Sequence, residues 1–299
     1  MPPRRRCGAM QVHERLAETY ASFRDNQDRI ERFTERSLMT GDAQAALEQL
    51  VTIPVVVHVV YRTDEENISK AQINSQIAVL NRDFRASNPD KSGVPNVWTG
   101  LVADSRIDFA LATTKPDGSP TDGVTRTETS RQSFGTDDSV KQAKTGGAPA
   151  WPRDRYLNVW VCNLDDGYLG YAQFPGGPPR TDGVVILHSA FGTQGTATAP
   201  FNLGRTTTHE VGHWLNLRHI WADTMGCSGT DYVSDTPNAL TPNYGTPTFP
   251  HISCNNGPNG DMFMNYMDYV DDAAMFMFSM GQATRMNACL IGARKKIAS

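Results

Sequence analysis

The segment His209-Glu-Val-Gly-His-Trp-Leu-Asn-Leu-Arg-His219 holds three imidazoles and a carboxylate at spacings that a single metal ion can use. His209 and His213 lie four residues apart, so on a helix both rings reach the same face, one turn apart. Three protein nitrogens and one open coordination position are typical of catalytic zinc. The segment therefore predicts a zinc site that performs hydrolysis.

Glu210 is rotated by one position from the first histidine, which places its carboxylate beside the open position of the metal. A carboxylate there can accept a proton from a zinc-bound water, whose pKa the ion lowers to about 7. Glu210 is therefore the predicted general base.

His219 lies six residues past His213, out of phase with the first pair on a helix, so the helix must end between them. Asn216 is the predicted breaker, because Asn tolerates the left-handed conformation and often ends helices. A pair of histidines can also serve as a cap, a solvated surface or a satisfied core group. The combination with Glu210 and a third histidine favours zinc.

The composition is that of an ordinary globular protein, with 299 residues, 39% hydrophobic residues and a formal net charge of -4. A net negative charge does not predict binding to nucleic acid. No apolar run approaches the roughly 18 residues that a membrane span needs. Arg4-Arg5-Arg6 precedes a polar stretch, so we expect no signal peptide within this chain. The oligomeric state stays open.

Hydrophobic periodicity predicts an α/β protein with a separable N-terminal segment. Residues 11–50 read as mostly helical, with a break at Gly41-Asp42, and the β-branched run 53–61 starts the main domain. A helix capped by Ser69 runs to Arg85. Further strands are predicted at 107–113, 156–162, 171–174 and 183–188, the zinc helix at 202–215, an irregular stretch at 222–261 and a terminal helix at 280–296. We therefore predict two domains, residues 1–50 and residues 51–299. A substrate cleft is expected between the sheet and the irregular part.

The extended zinc motif resembles that of the metzincins, in which a glycine turn precedes the third ligand; Asn216 stands in that glycine position. Asn265-Tyr-Met-Asp-Tyr269 resembles their methionine turn. The resemblance makes Met267 a soft apolar floor beneath the imidazoles and Tyr269 a donor to the oxyanion. By composition alone, any of the neighbouring methionines could be core filler.

Within the metzincins, the chain resembles the pappalysin family, including its bacterial secreted members. The shared motifs are His-Glu-Val-Gly-His-Trp-Leu, the loop Asp231-Tyr-Val-Ser-Asp-Thr-Pro237, Met-Asn-Tyr-Met-Asp-Tyr, Asp271-Asp272, Ile53-Pro-Val-Val-Val-His-Val and Leu157-Asn-Val-Trp-Val. The resemblance implies a twisted mixed sheet with helices in an upper subdomain, the zinc helix in the cleft, and an irregular lower subdomain with a C-terminal helix. It also implies a secreted zinc endopeptidase, made as a zymogen, that acts on proteins or peptides.

Two of the implied features concern cysteines. Cys7 resembles the cysteine switch of these zymogens, in which a thiolate occupies the fourth zinc position; the alternative is a free cysteine without a role. The positions of Cys227 and Cys254 resemble a family disulfide. Cys162 and Cys289 either pair or stay as buried thiols.

Two further features concern oxygen-rich side chains. Asp231, Ser234 and Thr236 resemble the calcium site of these enzymes, although an acidic turn in a solvated loop needs no ion. Asp272 corresponds to the acid that lines the primed-side specificity pocket, where it would pair with a basic side chain. Cleavage on the amino side of Arg or Lys follows.

We therefore expect a zymogen of a zinc endopeptidase in which Glu210 activates the zinc-bound water. Two alternatives remain open at this stage. One is a metzincin of another family with a different specificity, and the other is a zinc-stabilised binding module without turnover. The intact Glu210 argues against the second, because a structural zinc site is closed by four protein ligands and has no use for a base.

Overall fold

The N-terminal segment is helical and packs onto the rest of the chain in the computed structural model, which describes residues 4–224 and 226–298. Its helices are α1 (Ala9–Thr19), α2 (Ala21–Thr40) and α3 (Asp42–Ala46). The predicted break at Gly41 is confirmed, since this residue has φ of 80°. A second break, at the extended residue Tyr20, was not anticipated.

A six-stranded mixed sheet forms the frame of the main domain. The strands are β1 (Val51–Tyr61), β2 (Ile107–Leu111), β3 (Val124–Glu128), β4 (Leu157–Cys162), β5 (Gly170–Ala172) and β6 (Val184–Leu187). Their order is β2-β1-β4-β6-β5, with β3 pairing to the second half of β1. All pairs are parallel except β5 with β6. The sheet therefore ends in an antiparallel edge strand, β5.

The composition of the strands explains their places in the sheet. β1 is a nearly continuous β-branched run and is buried from Val55 to Val60, as a central parallel strand must be. β3, which the sequence did not reveal, is polar and half exposed, so it carries no hydrophobic pattern that would predict a strand. The other predicted strands are confirmed, with ends that differ by a few residues.

Two helices lie beside the sheet and pack against each other. α4 (Lys70–Phe84) begins at the predicted cap, since the side chain of Ser69 accepts a hydrogen bond from the backbone N–H of Gln72. α5 (Arg205–Trp214) is the predicted zinc helix and is buried along its whole length. The predicted start at Asn202 is wrong, because Gly204 precedes the helix with φ of 79° and ends any helical conformation there.

The C-terminal part is mostly irregular. Tyr244–Gly245 (β7) and Tyr269–Val270 (β8) form a short parallel pair that was not predicted. The last helix, α6 (Met280–Ile291), is shorter than predicted, since it ends at Gly292 instead of continuing to Lys296. α2 and α3 of the N-terminal segment both pack against α6.

One disulfide, which the resemblance implied, forms among the cysteines. Cys227 and Cys254 form a disulfide that fastens the irregular stretch. Cys162 and Cys289 are buried free thiols, which settles the open question about them. Within residues 4–224 and 226–298, every helix is too short or too polar to cross a membrane.

Candidate active site

Three imidazole nitrogens converge at the end of α5. The Nε2 atom of His213 lies 3.2 Å from that of His209 and 3.0 Å from that of His219, and the His209 and His219 atoms are 3.2 Å apart. The predicted turn is present, because Asn216 has φ of 74° and redirects the chain so that His219 returns to the helix. All three rings are buried.

The opposite nitrogen of each ring has a hydrogen-bond acceptor. The Nδ1 atom of His209 lies 2.7 Å from the carbonyl of Tyr266, and that of His213 lies 2.8 Å from the carbonyl of Leu217. A carbonyl can only accept, so in these two rings Nδ1 carries the proton and Nε2 presents its lone pair to the cluster. Burial lowers the pKa of both rings well below the ordinary value, which keeps them neutral.

A carboxylate that was not predicted from the sequence contacts the other nitrogen of His219. Its Nδ1 atom lies 2.6 Å from a carboxylate oxygen of Asp223, and its ring stacks on Trp221 with centroids 4.2 Å apart. A carboxylate in this position fixes the tautomer and raises the basicity of the ligand. The spacing of four residues between His219 and Asp223 was the available signal.

The donor set fits zinc. Three lone pairs that face one another at about hydrogen-bond distance, with no proton between them, repel one another unless a cation lies in their midst. Neutral imidazoles, together with one cysteine sulfur as a fourth ligand, form a set that zinc prefers. The three histidines would hold the ion, and it would supply a Lewis acid at the end of α5.

Cys7 comes from the N-terminal segment and completes the cluster. Its sulfur and one nitrogen of each histidine all lie within 4.8 Å of one another. The thiol donates to a carboxylate oxygen of Glu210 at 3.3 Å, and the sulfur accepts from the backbone N–H of Ala9 at 3.3 Å. Burial and the Glu210 carboxylate raise the pKa of Cys7 well above its ordinary value, a penalty that a cation in the cluster would offset.

Glu210 lies beside the cluster on α5 and is buried. Burial raises the pKa of its carboxyl group to about 8. A carboxylate in such an environment is a stronger base than one in water. Its position next to the sulfur of Cys7 places it beside the fourth position of the cluster.

Met267 and Tyr269 border the cluster, as the resemblance implied. A side chain at Gly212 would collide with the sulfur of Met267, so the glycine in the zinc motif allows the methionine turn to pack under α5. The Tyr269 ring lies 4.9 Å from that of His219, and its hydroxyl donates to the carbonyl of Cys7 at 3.4 Å. Burial raises the pKa of Tyr269 well above its ordinary value, so the hydroxyl stays protonated.

Two side-chain amides, which were not predicted from the sequence, join the methionine turn to α6. The side chain of Asn265 accepts from the backbone N–H of Met267 at 2.9 Å and donates to the side chain of Gln282 at 2.7 Å. Gln282 also belongs to the capping box of α6 with Ser279. The C-terminal helix thereby positions the floor of the site.

Asp272 is buried at the start of α5 and is occupied by an arginine of the N-terminal segment. One carboxylate oxygen accepts from the backbone N–H groups of Leu203 and Arg205, at 2.7 and 3.3 Å. The other accepts from the guanidinium of Arg5 at 2.5 Å. The remaining Arg5 nitrogens donate to the carbonyl of Val270 at 3.1 Å and to the hydroxyl of Thr206 at 2.9 Å.

The Asp231 loop gathers oxygen atoms away from the histidines. The Thr236 hydroxyl lies 2.6 Å from a carboxylate oxygen of Asp231 and 2.9 Å from the carbonyl of Val233. The structure does not bring Ser234 into this group, because its side chain is exposed. Burial raises the pKa of Asp231 to about 6.

Comparison with known proteins identifies similar chains. A family model for M43 peptidases, described as pregnancy-associated plasma protein-A, matches residues 138–291. An extracellular metalloprotease of Pyricularia oryzae is 32% identical over 293 residues, which cover 95% of this chain and 87% of the relative.

Two solved structures from Tannerella forsythia are similar over most of the chain. Mature mirolysin in complex with a cleaved peptide is 50% identical, with a TM-score of 0.82 over 84% of this chain and 96% of that one. A promirolysin mutant is 44% identical, with a TM-score of 0.89 over 98% of this chain and 97% of that one. The metzincin-type fold predicted from the sequence is confirmed.

The carboxylate behind His219 can be tested by metal affinity. We expect Asp223→Ala to weaken zinc binding by about 10- to 100-fold, because the imidazole loses the acceptor that orients it. Competition with a chromophoric chelator measures this affinity. Asp64→Ala, at an exposed acid elsewhere, is the control, and equal affinities in the two variants would show that Asp223 does not support the ligand.

Proposed function

Since the chain belongs to the pappalysin family of metalloendopeptidases, we propose that it hydrolyses peptide bonds with zinc held by His209, His213 and His219. The observation that carries the proposal is the convergence of three unprotonated imidazole nitrogens beside the buried carboxylate of Glu210. Family membership also argues against both alternatives considered from the sequence, which were a metzincin of another family and a binding module without turnover.

The proposed chemistry divides between the metal and the chain. Zinc, when bound, lowers the pKa of a water and polarises the scissile carbonyl. Glu210 accepts the proton of the attacking water and passes it to the leaving amine, as its raised pKa suits it to do. The Tyr269 hydroxyl, freed from the carbonyl of Cys7, donates a hydrogen bond to the oxyanion of the tetrahedral intermediate.

Removal of the base separates catalysis from metal binding. We expect Glu210→Gln to retain one zinc per chain and to lose about 10²- to 10⁴-fold in kcat, because the water is no longer deprotonated. Metal analysis and cleavage of a quenched peptide measure the two properties. Peptide cleavage at the parental rate would contradict the mechanism.

We propose that residues 1–50 are a pro-segment and that residues 51–299 are the catalytic domain. Cys7 lies at the fourth position of the histidine cluster, where a water would otherwise reach Glu210. A second contact also holds the segment, since Glu31 of α2 receives two hydrogen bonds from the buried Arg285, both at 2.7 Å. In support, promirolysin matches 98% of this chain and mature mirolysin 84%, a difference of about the size of this segment.

The thiol latch can be tested in the full chain. We expect Cys7→Ala to shorten the lag before self-processing and activity, since a strong ligand that excludes water is lost. Gel analysis with time, alongside peptide cleavage, follows the lag. Cys289→Ala is the matched control for loss of a buried thiol, and a Cys7→Ala zymogen as silent as the parent would exclude Cys7 as the latch.

We propose that Asp272 selects a basic side chain for the primed side of the scissile bond. In support, the guanidinium of Arg5 binds the same carboxylate. The Arg5 nitrogens have three different acceptors, and the backbone of α5 holds the other oxygen of Asp272. A lysine has no Nε–H donor for the carbonyl of Val270. Arginine is therefore the preferred residue and lysine the second.

Substrate profiling tests this pocket. Asp272→Asn should lower kcat/KM for arginine peptides by about 100-fold, because a desolvated guanidinium loses its counter-charge. Asp271→Asn, at the more exposed neighbouring acid, should leave the arginine preference intact. If both variants still prefer arginine equally, the selectivity has another origin.

We propose a calcium ion at the Asp231 loop. The Thr236 hydroxyl has one proton and lies against two acceptors, so one of these contacts brings two lone pairs together, as around a hard cation. Asp231, Val233 and Thr236 would supply oxygens, whereas Ser234 would require a change of the loop.

Thermal unfolding tests the calcium site. Added calcium should raise the Tm of the parent and leave that of Asp231→Asn unchanged, because only binding to the native state stabilises it. Magnesium is the control for ionic strength and charge. An equal shift in both proteins would place the ion elsewhere.

The names of the relatives and the disulfide support a proposal of secretion. Extracellular metalloproteases are similar over most of this chain. Disulfides such as Cys227–Cys254 persist in oxidising compartments.

A further inference from the structure

Arg6, which follows the arginine in the Asp272 pocket, has a binding site of its own. The guanidinium of Arg6 lies over the ring of Tyr168, 4.2 Å from its centroid. Its nitrogens donate to the backbone carbonyl of Asp166 at 2.6 Å and to the hydroxyl of Tyr168 at 3.2 Å. A ring face and two oxygens therefore receive the cation.

The loop between β4 and β5 is built to receive a positive charge. Asp166 has φ of 54° and Gly167 φ of 71°, a tight left-handed turn that exposes the Asp166 carbonyl. Within the described part of the chain, one carboxylate oxygen of Asp165 is buried and receives no hydrogen bond. Two consecutive acids, one of which has an unpartnered carboxylate oxygen, make this loop negative.

The pro-segment runs along the edge strand β5 in an extended conformation. Leu169 donates to the carbonyl of Arg6, Gly8 donates to the carbonyl of Gly170, both at 2.9 Å, and Cys7 pairs with Gly170 in parallel. Successive side chains of an extended chain point to opposite sides. Arg5 therefore enters the Asp272 pocket while Arg6 lies against Tyr168.

The order of the pro-segment fixes which substrate residue takes the place of Arg6. Arg6 lies between Arg5 in the Asp272 pocket and Cys7 at the metal site. In a substrate cut on the amino side of arginine, the scissile bond precedes that arginine. The substrate therefore runs opposite to the pro-segment, and the residue in the place of Arg6 is the one immediately before the arginine.

We infer that Tyr168 and the carbonyl of Asp166 form a second cation-binding subsite, for the residue on the other side of the scissile bond. Preferred substrates then carry two consecutive basic residues, and the enzyme cleaves the peptide bond between them. This inference rests on the proposed function, because it requires peptide hydrolysis and the Asp272 pocket.

The test compares two quenched peptides that differ in one residue. Each contains an arginine for the Asp272 pocket, preceded by either arginine or citrulline, which has the same shape without the charge. The enzyme is the full chain after its own activation has reached a plateau. We expect the arginine peptide to have a kcat/KM about three- to tenfold higher, the range of a cation over an aromatic ring with partial exposure.

Two variants assign this preference to Tyr168. Tyr168→Leu keeps apolar bulk in the core but has neither ring nor hydroxyl, and it should lose most of the preference for the arginine peptide, because only the Asp166 carbonyl remains. Tyr168→Phe keeps the ring and should retain part of the preference. Cleavage of the citrulline peptide at the parental rate verifies that each variant is folded.

The outcomes separate the inference from the proposed function. If the parent cuts no arginine peptide, the proposed function fails. If it cuts the arginine and citrulline peptides equally well, the subsite is overturned although the proposed function stands. A Tyr168→Leu enzyme that cleaves the citrulline peptide and keeps the parental preference would likewise overturn the role of Tyr168.

Discussion

Three imidazole nitrogens lie within 3.2 Å of one another at the end of α5, and much of the structure serves to keep them there. Lone pairs at this distance repel one another, so the arrangement is unfavourable in a chain without a cation. The left-handed turn at Asn216, the carbonyls behind two of the rings and the Asp223 carboxylate all resist relaxation of the cluster. The methionine turn closes it from below and is itself held by α6 through Asn265.

The N-terminal segment occupies the positions that a substrate would need under the proposed function. Arg5 fills the Asp272 pocket, Cys7 lies at the metal position and the Cys7 carbonyl receives the hydroxyl of Tyr269. Each contact uses a group with a proposed role in binding or hydrolysis. Arg285 also joins Glu31 of the segment to the carbonyl of Asn216, the residue at the end of the zinc helix. The proposed latency and the geometry of the histidine cluster thus depend partly on the same side chain.

Local spacing was enough to predict the histidine cluster, because its members lie within one helix and the turn that follows it. Prediction of the disulfide and of the positions of Met267 and Tyr269 required the family resemblance, since hydrophobic periodicity predicts none of them. What no local pattern could predict are contacts between distant parts of the chain, such as Arg5 with Asp272 and Asn265 with Gln282. The wrong helix ends have a local cause, since Gly204 and Gly292 stop α5 and α6 where the apolar pattern continues.

The proposed pro-segment is joined to β1 by a short link between the end of α3 at Ala46 and the first strand residue, Val51. While that link is intact, Arg5 and Cys7 compete with substrates at the high effective concentration of a tethered ligand. A cut in the link breaks none of their contacts, but it makes their return to the cleft a bimolecular event. Release then depends on dilution. A newly processed enzyme in a concentrated solution would be inhibited by its own severed segment, and the same enzyme would be free once it had diffused away.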